Sequence, residues 1–292
     1  MKIPTRLIPA ALCVYCFAFC IPYGAAQADT AENTVLKLQG NPLKMTEYTG
    51  ESFGRLTVSR IAFFDAGRIA SEQRLSPDGT VHTTVTYDYT PEGLVSEIKG
   101  TDASGQLKWT YRYEYNEAGL LVTETSLDAA QTVEGTIVSE YTDAGLLSAQ
   151  KTYNADGAVT LTETFSYTDA GRKTEQTALY GDGKILKRIS FEYNDAGMPV
   201  KELRYDGNGL YETVVYTYIG KKIRSVTRFG ADSVLKDTQY RTYSGELLSR
   251  TVTKNAAGEP VAEESFTYDR DGNTFCIRDA TGVTIRDITY GD

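Results

Sequence analysis

Polar and apolar residues alternate strictly over short stretches of this chain. In VHTTVTYDY, Val81, Thr83, Val85, Tyr87 and Tyr89 share one parity, while His82, Thr84, Thr86 and Asp88 take the other. VTLTETFSY repeats the pattern with Val159, Leu161, Phe165 and Tyr167. Period two with β-branched and aromatic residues predicts strands buried on one face. A helix would scatter the same side chains around its circumference. Each such stretch runs into a polar cluster closed by glycine: NEAG, TDAG, TDAG, NDAG and DRDG end at Gly119, Gly145, Gly171, Gly197 and Gly272. Asn, Asp or Thr can bond back to the backbone, and glycine can take a positive φ, so a hairpin turn of four or five residues is expected.

The pattern has a register. The residue before each turn is Phe64, Tyr89, Tyr115, Tyr141, Tyr167, Tyr193, Tyr218, Tyr243 or Tyr268, in steps of 25 or 26. A second turn lies half a period on, at Gly79, Gly105, Gly157, Gly209 and Gly258. Each unit therefore reads strand, turn, strand, turn, and internal repetition outranks local propensity in deciding the fold. The expected fold is all-β: an elongated antiparallel β-hairpin solenoid or spiralling sheet of about nine units of 25–26 residues. Stacked at about 4.8 Å per strand, it would be roughly 86 Å long. Its two free edges would fall to the irregular segments 29–60 and 273–292 for protection. The repeat positions expected to carry the structure are the nine aromatics together with Gly93, Gly119, Gly145, Gly171, Gly197 and Gly272.

The first residues follow a different rule. Lys2 and Arg6 precede an apolar run, Leu7–Tyr23, and the small residues Ala26 and Ala28 follow it. This reads as a secretory signal peptide over 1–28, with export to the periplasm or cell surface. The alternatives are a retained anchor and lipidation at Cys13 or Cys20, although Leu12 and Phe19 are not the small residues that usually precede a lipidated cysteine. The expected organisation is a signal at 1–28, a cap or degenerate repeat at 29–60 and the array at 61–292. Removing the signal takes Cys13, Cys16 and Cys20 and leaves Cys276, so no disulfide can staple the core. It also removes two of 30 basic residues and none of 39 acidic ones, giving 28 − 39 = −11. That charge disfavours a nucleic-acid partner. The lone His82 and Cys276 supply too few of the usual metal ligands, and the Asp/Asn/Gly clusters lack the glutamate that closes a calcium loop. No cofactor is expected.

YDYTPEGLVSEIKG, YEYNEAGLLVTE and FEYNDAGMPVKE resemble the tyrosine–aspartate repeats of the Rhs/YD family. Tyr89, Tyr115, Tyr167, Tyr193 and Tyr268 fill its tyrosine place, Asn116, Asn194 and Asp269 its acid or amide place, and Gly93, Gly119, Gly171, Gly197 and Gly272 its glycine place. The resemblance implies a spiralling sheet, which in large members encloses a toxic C-terminal domain. This chain is far shorter and has no Asp–Pro pair for the self-cleavage motif. The toxin role therefore does not carry over. A weaker likeness is to MORN-type hairpin repeats.

Functionally, the sequence carries no nucleophile elbow, phosphate loop or zinc motif. The acids Asp65, Glu97, Glu124, Glu163, Glu175 and Glu202 could pair as in glycosidases, but repeated acids read more simply as the wet face of a sheet. The expectation is a non-enzymatic exported binding module for an envelope protein or glycan, using its 21 tyrosines. The alternatives are an envelope scaffold and a glycan-active enzyme. Oligomeric state stays open.

Overall fold

The computed structural model describes residues 36–291. The expected signal segment, 1–28, and the first residues of the expected cap lie outside the described residues. Twenty strands follow one another: β1 Pro42–Gly50, β2 Thr57–Asp65, β3 Arg68–Leu75, β4 Val81–Tyr89, β5 Val95–Asp102, β6 Leu107–Tyr115, β7 Leu121–Asp128, β8 Val133–Tyr141, β9 Leu147–Asn154 and β10 Val159–Tyr167. The second ten are β11 Lys173–Tyr180, β12 Ile185–Tyr193, β13 Pro199–Asp206, β14 Gly209–Ile219, β15 Lys222–Gly230, β16 Leu235–Ser244, β17 Leu247–Asn255, β18 Pro260–Tyr268, β19 Thr274–Arg278 and β20 Val283–Tyr290.

Every strand pairs antiparallel with its sequence neighbours, and β20 pairs with β1 over Pro42↔Tyr290 to Gly50↔Val283. The sheet is a closed 20-stranded barrel. This corrects the expected solenoid or spiralling sheet, which would leave two edges free. The resemblance to Rhs/YD or MORN-type repeats is corrected with it, because the hairpins return to their starting strand instead of spiralling on.

Closure has a local cause. The ladder slips by one residue beside the tyrosine of nearly every hairpin, between Asp88 and Tyr89, Glu114 and Tyr115, and Glu140 and Tyr141, for example. It slips again near the other end, as between Arg74 and Leu75 or Gly100 and Thr101. Such bulges bend a strand and increase its twist. Repeated along twenty strands, they curl the sheet until its ends meet, which removes both edges.

The turns explain the two step lengths. At Gly119, with φ +74°, the glycine N–H donates to Asn116 O at 2.9 Å, and Asn116 N–H donates to Leu120 O at 2.9 Å. Asn116 Oδ1 also accepts from the N–H groups of Ala118 and Leu120 at 3.0 and 2.9 Å. Each 25-residue step instead contains a two-residue loop, closed by Asp65↔Arg68, Asp206↔Gly209, Ile219↔Lys222 or Ser244↔Leu247.

The register sorts side chains onto two faces. Tyr87, Ile98, Tyr111 and Ser126 are directly opposed along one face, with Val85, Gly100 and Trp109 beside them. Most of the fully buried side chains, among them Met45, Glu72, Val85 and Val214, lie on this face. Side chains crowd on the concave side of a curved wall, so this face is the inner one. Two apolar clusters run along it. One joins Val85, Val95, Ile98, Tyr113 and Leu121 to Tyr87, Tyr89, Trp109, Tyr111 and Tyr115. The other joins Met45, Ala62, Phe64 and Ile69 to Leu36, Leu38, Tyr87 and Ile288, across the seam. Each fully buried apolar side chain contributes about 1.5–3 kcal/mol. Trp109 lies flat on Gly100, where a Cβ would fall 2.1 Å from the indole ring.

The outer face carries His82, Asp88, Lys108, Arg112, Glu114, Glu140 and Glu192, all exposed. They form short cross-strand ion pairs such as Arg112–Glu97 at 2.8 Å, Lys151–Glu140 at 3.2 Å and Lys201–Glu192 at 3.1 Å.

Candidate functional site: the inner face of the barrel

Barrels of about eight strands are filled by their own side chains, whereas those of about sixteen or more leave an aqueous interior. At about 4.8 Å per strand and about 40° tilt, a circular wall of twenty strands is about 40 Å across. The apolar clusters described above lie between adjacent strands of one wall. The inner face is therefore the lining of a lumen, and the side chains that line it are the candidate site.

At one rim, tyrosine hydroxyls tie successive hairpins together. Tyr89 Oη donates to Ile69 O at 2.7 Å, Tyr115 to Val95 O at 2.8 Å, Tyr141 to Leu121 O at 2.7 Å and Tyr167 to Leu147 O at 2.7 Å. Tyr193, Tyr218, Tyr243 and Tyr268 continue the series to Lys173, Pro199, Ile223 and Leu248, at 2.6, 2.5, 3.0 and 2.7 Å. Each acceptor sits where a bulge interrupts the ladder, so a carbonyl the sheet leaves short of a donor is supplied by the next hairpin. Phe64, the first of the series, has no hydroxyl and packs in the seam cluster. At the end of the chain Tyr290 takes a different role: Asn273 Nδ2 donates to its hydroxyl at 2.8 Å, and that hydroxyl donates to Asp269. Burial, followed by its bond to Asp269, pushes Tyr290 up to about 12.

Burial also raises Tyr89, Tyr141, Tyr167, Tyr193 and Tyr268 above the ordinary tyrosine value. Because these folded-state values are raised, the rim's contribution is full below roughly pH 10 and is lost as pH rises through the folded values. Tyr141→Phe is expected to cost about 1 kcal/mol in urea unfolding at pH 7, the worth of one hydrogen bond. An unchanged midpoint would show that the hydroxyl contributes nothing.

Farther along the lumen the inner face carries charge. Arg204 is nearly buried and bonds Glu202 and Glu212, each at 2.7 Å. Tyr216 Oη donates to Glu202 at 2.6 Å, and burial raises Tyr216 strongly. Arg228 meets Asp237 at 2.6 Å and Lys187 meets Glu163 at 3.3 Å. Glu124 is opposite Tyr113, and burial pushes its carboxyl up. The six acids considered for paired-carboxylate chemistry are thus split: Glu124, Glu163 and Glu202 line the lumen, while Asp65, Glu97 and Glu175 have the outer parity. They do not converge. Among the described residues no group of three or more His, Cys, Asp or Glu side chains could hold a metal. Sequence reasoning placed acids at repeated positions on the wet face, and so missed the inward ones. The signal was present in Glu163, which shares the parity of Phe165 and Tyr167.

No family model matches the chain, and no curated protein matches it. Solved structures similar to it include the following two. One is a mutant of the Photorhabdus luminescens Tc holotoxin pore, at 12% identity and a TM-score of 0.31, covering 80% of this chain and 16% of that one. The other is a porin-like protein from Bacteroides uniformis, at 13% identity and a TM-score of 0.37, covering 87% of this chain and 98% of that one. Likeness at this level does not define the fold; the strand register does.

Closure also corrects the expected function. The binding module for an envelope protein or glycan needed one contiguous exposed strip of tyrosines. The repeat tyrosines instead lie on the inner wall, and the exposed ones, Tyr180, Tyr211 and Tyr240, are on β11, β14 and β16, no two of which are neighbours.

Proposed function

We propose that this chain is a barrel-type pore protein: a water-filled passage for polar solutes that performs no covalent chemistry. The observation that carries the reading is the β1–β20 pairing, which turns twenty strands into a tube too wide for its own side chains to fill. The lining supports it. Ion pairs and tyrosines facing inward, including Arg228–Asp237 and Lys187–Glu163, suit water and polar solutes.

The outer face supports an aqueous setting. A barrel in lipid turns an apolar band about 25 Å tall outward, and Lys or Arg at mid-bilayer costs about 2–4 kcal/mol each. Arg112, Lys151, Lys201 and Arg250 stand on the outer face with acidic partners. The barrel stands in water on the exported side, in keeping with the signal-like segment 1–28, so its passage takes polar solutes into the lumen and not across a bilayer.

Single cysteines test both points. Thr152 lies on the inner face and Lys151 on the outer. In the detergent-free protein, Thr152→Cys is expected to react with a small hydrophilic maleimide and to resist one carrying a bulky polymer. Lys151→Cys is expected to react with both, read by peptide mass spectrometry. An inner cysteine closed to the small reagent would overturn the water-filled lumen. A monomer that survives only in detergent would overturn the aqueous setting.

A further inference from the structure

At the seam, four directly opposed residues form a row on the inner face across β20, β1, β2 and β3: Arg286, Glu47, Arg60 and Arg74. Glu72 lies beside them on β3 and is fully buried. Arg286 Nε donates to Glu47 Oε2 at 2.9 Å. Arg60 Nη2 donates to Glu72 Oε2, and Arg74 Nε and Nη2 donate to Glu72 Oε1 at 3.1 and 3.0 Å.

The charges do not cancel. Three arginines against two glutamates leave 3 − 2 = +1, in a chain whose net charge is −9. Like charges directly opposed across strands destabilise a sheet, and Arg60↔Arg74 is such a pair with one carboxylate between them. Two further observations point to a missing acceptor. Arg60 Nε is buried without a hydrogen-bond partner, the one side-chain nitrogen or oxygen so placed among the described residues; it is itself closed to the lumen and shows that Glu72 leaves the group's donors incompletely satisfied. The Arg74 side chain is 55% exposed, on the luminal side. Arginine forks match the oxygens of a carboxylate or phosphate.

We propose that the Arg60–Glu72–Arg74 group is a luminal binding site for the anionic group, carboxylate or phosphate, of a passing solute. This rests on the water-filled lumen proposed above. The Arg286–Glu47 pair joins the first and last of the described strands, and the site lies one and two strands further on.

The test titrates inorganic phosphate and acetate into the full chain by calorimetry, at ionic strength held constant with chloride. Saturable binding is expected for at least one of them. Arg74→Gln should weaken it at least about tenfold, the loss expected for a charge-assisted hydrogen bond. Arg74→Lys should restore part of it, and Arg112→Gln on the outer face should leave it unchanged. Tighter acetate binding assigns a carboxylate, and tighter phosphate binding a phosphate; either supports the site. Binding that Arg74→Gln leaves intact, or no binding beyond chloride, overturns it. If the Thr152→Cys variant is labelled by the small maleimide in that case, the anion site falls and the water-filled barrel stands. If that variant resists the small reagent, the lumen reading has failed first.

Discussion

Ending the chain after Asp279 is expected to abolish the monomer. That truncation removes β20 and with it the ladder that closes the ring, leaving across the seam the bonds between Gln39 and Asn273. The ladder from Pro42↔Tyr290 to Gly50↔Val283 is lost, as are the Arg286–Glu47 ion pair, the packing of Ile288 in the Met45 cluster and the bond between Asn273 and Tyr290. Each backbone hydrogen bond is worth about 0.5–1.5 kcal/mol net, so the ladder alone amounts to several kcal/mol. The larger consequence is topological. β1 becomes a nine-residue edge with unpaired N–H and C=O groups, and β19, five residues long, becomes the other. Open edges of this kind pair with other chains. Light scattering after size exclusion should show oligomers or aggregate, and removal of Gly291 and Asp292 alone should leave the monomer intact. A monodisperse monomer from the long truncation, with an unchanged unfolding midpoint, would show that the seam does not hold the barrel.

The strands and turns were legible because their causes are local. Alternation in VHTTVTYDY fixes a strand and its inner parity, and Asn116 with Gly119 fixes a turn through bonds spanning four residues. Even the 25-residue steps follow from two-residue loops such as Asp65–Arg68. Closure was not legible. Whether twenty strands spiral or meet depends on the summed twist and on bulges such as that between Glu114 and Tyr115, each of which looks in sequence like ordinary alternation. The segment around Met45 read as a cap or a degenerate repeat, and nothing in it announced that β1 is the strand both ends of the ring require. The site was half legible. The tyrosines were visible as inner rungs, but a hydroxyl bonding a carbonyl twenty residues back, as Tyr141 does to Leu121, needs the neighbouring hairpin in place. Arg60 and Glu72 showed nothing until the register put them on adjacent strands of one face.

These observations divide the work of the wall between its faces. The outer face needs only hydration, and its ion pairs are half-exposed, as Glu140 and Lys151 are. The inner face must satisfy charge on a crowded concave surface. Its ionised groups are therefore coupled in sets, Arg204 with Glu202 and Glu212 in one place and Glu72 with Arg60 and Arg74 in another.

That difference sets the size of the second effect. Glu72→Gln is expected to destabilise the protein by about 2 kcal/mol, because a fully buried carboxylate loses its charge-assisted hydrogen bonds to Arg60 and Arg74 while those arginines keep part of their hydration. The substitution preserves shape, so no cavity contributes. What changes is that Arg60 and Arg74, directly opposed across β2 and β3, lose the carboxylate that lies between them. Glu140→Gln makes the same chemical change beside Lys151 on the outer face, and should cost less than about 1 kcal/mol because water screens that pair. Adding Arg74→Gln to Glu72→Gln should recover part of the loss, since it removes one of the two opposed cations. Urea unfolding of the four proteins at pH 7 decides the matter. Equal costs for Glu72→Gln and Glu140→Gln, or a double variant no more stable than Glu72→Gln alone, would show that the inner arginines are not held by that carboxylate.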